Sequence, residues 1–274
     1  NAYVLTEVAW TVFSSTDMIL LSVMFSTALS SVYSVYNMIY SNISVLMSAI
    51  YTSLLYLLGQ AYSENLKKYE TTHDEFELLF MTAVAILMSC CSLLAVPFVQ
   101  LYTKGVTDVN YIYAFLPTMF GLIQILSWDR YVTGNLSGIA GHAKVVSKIS
   151  VIEAASNIVL SVLLAPRMGL YGITLATVIS LVFKLAYLTY LGNVVILKRG
   201  IWSSLSKILC YLGTYLVISF IGIIKPLKIS SFARFILYGF ITLTLVMVVF
   251  IILAYIIDRK TFKILAKRIG GKMH

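Results

Sequence analysis

Charge is what this sequence most lacks. Of 274 residues only 11% are Asp, Glu, Lys or Arg while 60% are hydrophobic, whereas roughly a quarter of a soluble domain is charged. That balance excludes a soluble fold. Cysteine is nearly absent too: Cys90 and Cys91 adjoin inside one apolar run and Cys210 lies in another. Neither a disulfide framework nor a zinc spacing is available, and all three read as small packing residues. No phosphate-binding glycine loop, HExxH pair, nucleophile elbow or paired-carboxylate motif occurs. Catalysis has no sequence support, no cofactor is expected, and without an ATP site any transport is expected to run on an ion or substrate gradient.

What the sequence does have is long apolar runs. A spanning helix needs roughly 20 mostly apolar residues, and eight segments approach this: Tyr3 to Phe25, Ala28 to Leu58, Phe76 to Tyr102, Tyr111 to Thr133, Val145 to Ala165, Leu170 to Leu191, Ile208 to Ile224 and Phe232 to Ile257. The expected fold is an all-α integral membrane protein of about eight transmembrane helices. The formal charge of +9 sits between these runs, with no basic patch interleaved with aromatics, so nucleic acid is not an expected partner. The charge belongs to topology: Lys67, Lys68, Lys144, Lys148, Lys198, Arg199, Lys207 and the basic tail from Arg259 to Lys272 all fall on one side if the N-terminus is cytoplasmic. Basic residues are retained on that side during insertion, so both termini are expected in the cytoplasm. The first residue is Asn1, with no basic n-region or cleavage site near it, which reads as a fragment lacking its preceding part.

Two charge-rich stretches stand out, a loop around Lys67 to Glu77 and the tail. In the tail Phe262, Leu265, Ala266 and Ile269 recur beside five basic residues, a pattern that suits either a helix on anionic lipid or a solvated tail. His73 reads as solvated and His142 as a hydrogen-bonding loop residue.

Polar residues inside the apolar runs are the candidates for function. In the second run Ser30, Ser34, Asn37, Ser41, Ser44, Ser48 and Tyr51 recur at spacings of four and three, along one helical face. Such a stripe serves either close helix packing or the wall of a hydrated cavity; Asn37, Tyr33, Tyr40 and Tyr51, too large for a tight seam, belong to the second reading. The first run carries Glu7, Thr11, Ser14 and Ser22 near one face and Asp17 past its middle. A carboxylate at that depth faces protein or water, as an ion-coupling or a structural acid.

The fifth and sixth runs meet at Pro166, Arg167, Met168 and Gly169, a breaker that predicts a hairpin. A turn there places Glu153 opposite Lys184, Asn157 opposite Ser180 and Ser161 opposite Thr177. Glu153 and Lys184 are therefore predicted to form an ion pair, since opposite charges relieve each other's desolvation. Arg130, near the end of the fourth run, either snorkels to the interface or binds phosphate through its planar fork.

Three stretches carry a resemblance. They are Ser15-Thr16-Asp17-Met18 followed by Val32-Tyr33-Ser34; the run from Pro97 to Tyr111; and Ala140-Gly141-His142-Ala143-Lys144 with Ile152-Glu153-Ala154-Ala155-Ser156-Asn157 and Gly169-Leu170-Tyr171-Gly172. Over about residues 10 to 200 the sequence resembles polysaccharide flippases of the Wzx type (O-antigen, capsule or teichoic acid exporters), in the superfamily that also holds multidrug extruders. The resemblance implies helices seven to fourteen of a fourteen-helix transporter of the bacterial plasma membrane: 1–192 as one six-helix lobe, 193–257 as two added helices, 258–274 as a basic tail. A missing N-terminal lobe would be a partner. It implies movement of an undecaprenyl-pyrophosphate-linked oligosaccharide between leaflets, with Arg130, Lys184, Asn37, Tyr40 and Asn157 as candidate substrate contacts and Asp17, Glu153 and Glu7 as ion-coupling or structural acids. Alternatives are a drug or small-cation antiporter, and a membrane enzyme or scaffold of glycan assembly.

Overall fold

The structure, a computed structural model, describes residues 2–269; Asn1 and Lys272 lie outside them, as does the side chain of Ile269. It is 88% helical, with no strand among the described residues. In a bilayer interior every backbone N–H and C=O must be satisfied within the protein, and a helix does this within one segment.

Eight long helices run alternately up and down: α1 (Ala2–Met24), α2 (Thr27–Glu64), α3 (Leu66–Tyr102), α4 (Leu116–Ile139), α5 (Ala143–Met168), α6 (Leu170–Tyr190, prolonged by a π-helical turn Leu191–Ile196), α7 (Trp202–Ile224) and α8 (Phe232–Ile257). A short α9 (Arg259–Ile269) follows. The α2/α3, α4/α5, α6/α7 and α8/α9 junctions share one end of the bundle, called here the charged end.

Among the described residues seven of the helices are long and apolar enough to cross a membrane, in keeping with the expected all-α membrane protein of about eight; α4 alone of the eight long helices falls short in apolarity. The reason is its position. It packs against α2, α3, α5, α6 and α7, so protein surrounds it and it needs no lipid-compatible face, whereas α8 shows Phe240 and Ile256 outward at 67% and 70% exposure.

The charge-rich stretch expected as a loop is helix. α2 and α3 have 38 and 37 residues, about 55 Å each at 1.5 Å per residue, well beyond a hydrocarbon core of about 30 Å. They meet at Asn65, which ends α2 and caps α3 by accepting from the Lys68 N–H at 2.7 Å. His73, on this extension, is buried rather than solvated, because α3 packs there on α4 and α7.

At the α5–α6 hairpin Gly169 takes φ +59°, and a Cβ on Gly172 would come within 2.5 Å of the Leu164 carbonyl oxygen, so that small residue sets how closely the helices approach. α7 and α8 lie on α3, as Ser92 donating to Ser219 at 2.7 Å and the Phe98–Phe235 ring contact at 5.7 Å show. The α6–α7 connection is tied by Arg199, which donates to Asn193 Oδ1 at 2.6 Å and to Asp74 at 3.0 Å. Burial opposes the charge on Arg199, but Asp74 and its neighbouring carboxylates outweigh it and hold the guanidinium above its ordinary pKa. The tail forms helix α9, folded back so that Arg268 pairs with Glu75 of α3 and Phe262 packs on Tyr255.

Candidate functional site

The serine stripe of α2 faces a cavity of about 570 Å³ bounded by α1, α2 and α4, with Thr177 of α6 contributing to its wall. Asn37, Ser41, Ser44 and Ser48 line it, so of the two readings of the stripe the cavity wall is the one observed over this stretch. Several hydroxyls on α2 bond back to their own helix, as Ser34 does to the Ser30 carbonyl at 2.8 Å, which leaves their apolar edges and remaining lone pairs toward the space. From α4, Gln124 and Trp128 both reach Ser44, the indole donating at 3.0 Å.

Asp17 lies in the wall of this cavity, 4% exposed. Its Oδ2 accepts from Thr177 Oγ1 at 2.9 Å and from Tyr33 Oη at 3.0 Å. Behind it Asn157 donates to Thr177 Oγ1 at 3.0 Å, while Asn157 Oδ1 has no hydrogen-bond partner. Asp17 has no ion-pair partner among the described residues. Neutral groups from three helices, α2, α6 and through Thr177 α5, thus converge on the α1 carboxylate.

Towards the charged end a second chamber of about 300 Å³ adjoins the first. Trp10, Tyr51 and Tyr131 line both, with Trp10 and Tyr131 edge to face at 6.1 Å. Arg130 lies behind this aromatic partition, its guanidinium 5.0 Å from the Trp10 ring and 4.9 Å from the Tyr131 ring, a cation–π arrangement. Arg130 Nη1 donates to Glu153 Oε1 at 2.5 Å, and Lys184 Nζ donates to Glu153 Oε2 at 2.6 Å and to Ser150 at 2.9 Å. All three residues are under 10% exposed. Two cations share one carboxylate, so the buried group carries a net positive charge.

The predicted Glu153–Lys184 pair is therefore present. Arg130 does not snorkel: α4 is enclosed, and the nearest counter-charge is Glu153 across the α4–α5 turn. That pairing was legible, because Arg130 stands as far before Gly141 as Glu153 stands after His142. The rest of the hairpin register is shifted: Asn157 bonds Thr177 rather than Ser180, Ser156 donates to Ser180 at 3.4 Å, and Ser161 Oγ has no partner. Both helices turn 100° per residue, so equal depth does not guarantee that two side chains face each other.

Of the other candidates, Asn37 lines the large cavity, and Arg130 and Lys184 line the second chamber. Glu7 lies at the exposed rim of that chamber. Tyr40 turns inward, fully buried, donating to the Pro117 carbonyl at 2.8 Å and stacking on Phe120; it is a packing residue. Asn157 backs Asp17 and lines neither of these two chambers. Trp10, Trp128 and Tyr131 were not singled out from the sequence, since an aromatic in an apolar run carries no signal of its own; Gln124, a polar residue in the fourth apolar run, offered a signal that was missed. His142 occupies the α5 N-cap without a capping bond, and Asp129 and Glu153 face opposite sides of α4, so these three form no shared network among the described residues.

Comparison with family models, with curated proteins and with solved structures finds no match.

Proposed function

We propose that this chain is part of a membrane flippase that moves an undecaprenyl-pyrophosphate-linked oligosaccharide between leaflets by alternating access. One observation carries the reading: Arg130 and Lys184 share the single carboxylate of Glu153 beside a chamber that opens through aromatics into a hydroxyl-lined cavity. A diphosphate arriving there can take over Arg130 and Lys184 from Glu153; the guanidinium fork fits two phosphate oxygens. Sugars pack on aromatic faces and bond to hydroxyls, which Trp10, Tyr51, Tyr131 and the α2 serines supply.

The α2 face is only partly covered, with Ser48 and Thr52 exposed, so a second lobe facing it would close the cavity. In this reading the charged end is cytoplasmic, the setting is a plasma membrane, and Asp17 couples an ion gradient to the movement.

The test is transport of a lipid-linked glycan with a fluorescent headgroup in liposomes. The triple variant Arg130→Met, Glu153→Gln and Lys184→Met keeps the volume while removing every charge. Flipping should fall to background; undiminished flipping would reject the cationic site. A small-cation antiporter is the second reading, favoured by Asp17, an acid without a cation in an aromatic cavity. Dye efflux abolished by Asp17→Asn but untouched by the triple variant would select it.

A further inference from the structure

On the other side of α4 from the cavity, at the charged end, carboxylates outnumber cations. Glu70, Asp74 and Glu77 stand on α3, Asp129 reaches in from α4 within electrostatic range of Glu77 and Lys207, and Asp258 comes from the α8/α9 junction. The cations that meet them are Arg199, 3.2 Å from Glu70 and 3.0 Å from Asp74, and Lys207, 2.9 Å from Glu77 and 3.4 Å from Asp258. Among the described residues Asp129 has only the Thr133 hydroxyl, at 3.2 Å.

Two buried polar atoms in this cluster make no hydrogen bond among the described residues: Glu77 Oε1 and His73 Nδ1, on residues 1% and 4% exposed. His73 Nδ1 lies 3.8 Å from Asp74 Oδ1, and its Nε2 approaches only the Val132 carbonyl, at 3.4 Å. His73 and Glu77 are four apart on one helix and share a face. One donor atom each from His73, Asp74 and Glu77 lie within 4.8 Å of one another.

The geometry points to a binding site for a divalent transition-metal cation, of the Zn²⁺ or Mn²⁺ class, held by His73, Asp74 and Glu77. An imidazole with two carboxylates suits these ions better than Ca²⁺ or Mg²⁺, which favour all-oxygen shells. Bonds of 2.0–2.2 Å around a tetrahedral ion place ligand atoms about 3.3–3.6 Å apart, a contraction that rotation of the Asp74 and Glu77 side chains supplies. Asp74 is the most exposed of the three and marks the entry. Lys207 is the competitor: its ammonium already holds Glu77 Oε2, and Asp129 and Asp258 offset its repulsion of an incoming ion. Nothing in this site depends on what the cavity transports.

The experiment is competition for Zn²⁺ and for Mn²⁺ between a fluorescent chelator and the purified, metal-stripped protein in detergent, together with the unfolding temperature at each metal concentration. One ion per chain is expected, with a rise in unfolding temperature. His73→Ala and Glu77→Gln should each weaken binding by about tenfold or more and abolish the rise. The double variant His142→Ala and His274→Ala, which removes the other two histidines, should bind as before. Lys207→Met should bind more tightly and recover stability on adding metal. No binding, binding unchanged in both His73→Ala and Glu77→Gln, or binding lost in the His142/His274 variant would overturn the assignment. Glu77→Gln retains the side chain's size, so it decides the matter even where His73→Ala fails to fold.

Discussion

Adjacent residues on α4 serve two ionic clusters of opposite excess charge. Arg130 turns toward α5 and α6, where it and Lys184 surround Glu153. Asp129, about 100° around the helix, turns toward α3 and α7, where carboxylates crowd Lys207 and Arg199. The first cluster has two cations on one acid and adjoins a cavity; the second has more acids than cations and is walled by the charged-end helices. An enclosed helix is free to do this because neither side meets lipid. The difference shows that burial of charge in this bundle is not one device used twice: the positive cluster is short of anions, the negative one of cations, and each side is sensitive to loss of its scarcer partner.

That asymmetry is tested most sharply by deleting one acid from each side. Glu153→Ala leaves two buried cations facing each other, and breaking a buried pair this way typically costs about 3–5 kcal/mol. Glu77→Ala leaves Lys207 with Asp258 at 3.4 Å and relieves crowding around Asp129, so about 1–2 kcal/mol is expected. Equilibrium unfolding in mixed micelles measures both. Equal losses would break the comparison.

The cations should show the reverse order. Lys207→Met strands Glu77, 1% exposed, and is expected to cost about 3 kcal/mol. Lys184→Met leaves the Arg130–Glu153 contact at 2.5 Å and the Ser150 bond to the Val146 carbonyl, and takes a donor from Glu153 Oε2, so about 1–2 kcal/mol is expected. A larger loss for Lys184→Met in the same unfolding measurement would mean that the positive cluster needs both cations for the fold.

Asp17 sharpens the contrast as a buried acid held by neutral donors alone. Asp17→Asn retains an acceptor for Thr177 and Tyr33 and should change stability by less than about 1 kcal/mol. Asp17→Leu leaves the Tyr33 hydroxyl without its acceptor and Thr177 with the Ile173 carbonyl, and should cost about 1–3 kcal/mol. Similar unfolding curves for the two variants would remove the hydrogen-bond account of this site.

The bundle was largely legible because lipid forces apolar runs to be helices: each of the eight segments read from the sequence corresponds to a helix, and the Glu153–Lys184 pair follows from one turn. Where the reading stopped, α2 and α3 continue beyond their apolar runs, since there water and partner helices replace lipid and hydropathy no longer marks the helix. The negative cluster escaped for that reason; its residues come from α3, α4, the α6–α7 connection, α7 and the α8/α9 junction, and no single turn relates them. Tyr40 misled because periodicity assigns a face but not whether that face meets a cavity or Phe120. The triad of Arg130, Glu153 and Lys184 needed two turns considered together, the α4–α5 turn as well as the α5–α6 hairpin.

A smaller effect belongs to an ion pair of which one partner stands half in solvent. Arg268 of α9 reaches Glu75 of α3 with half of its side chain in solvent. Its removal uncovers Glu75 to water instead of stranding it, so the carboxylate regains hydration for the contact it loses. Arg268→Ala should therefore cost about 0.2–1 kcal/mol and less still at high salt. Phe262→Ala, which removes the ring against Tyr255, should free α9 at any ionic strength. Limited proteolysis after Arg259 or Lys260 distinguishes them: salt-dependent cleavage in wild type, absent from Phe262→Ala because that variant is cut throughout, assigns the docking of α9 chiefly to packing, with the ion pair setting only its salt response. Salt-independent resistance in Arg268→Ala equal to wild type would remove the ion pair from that account.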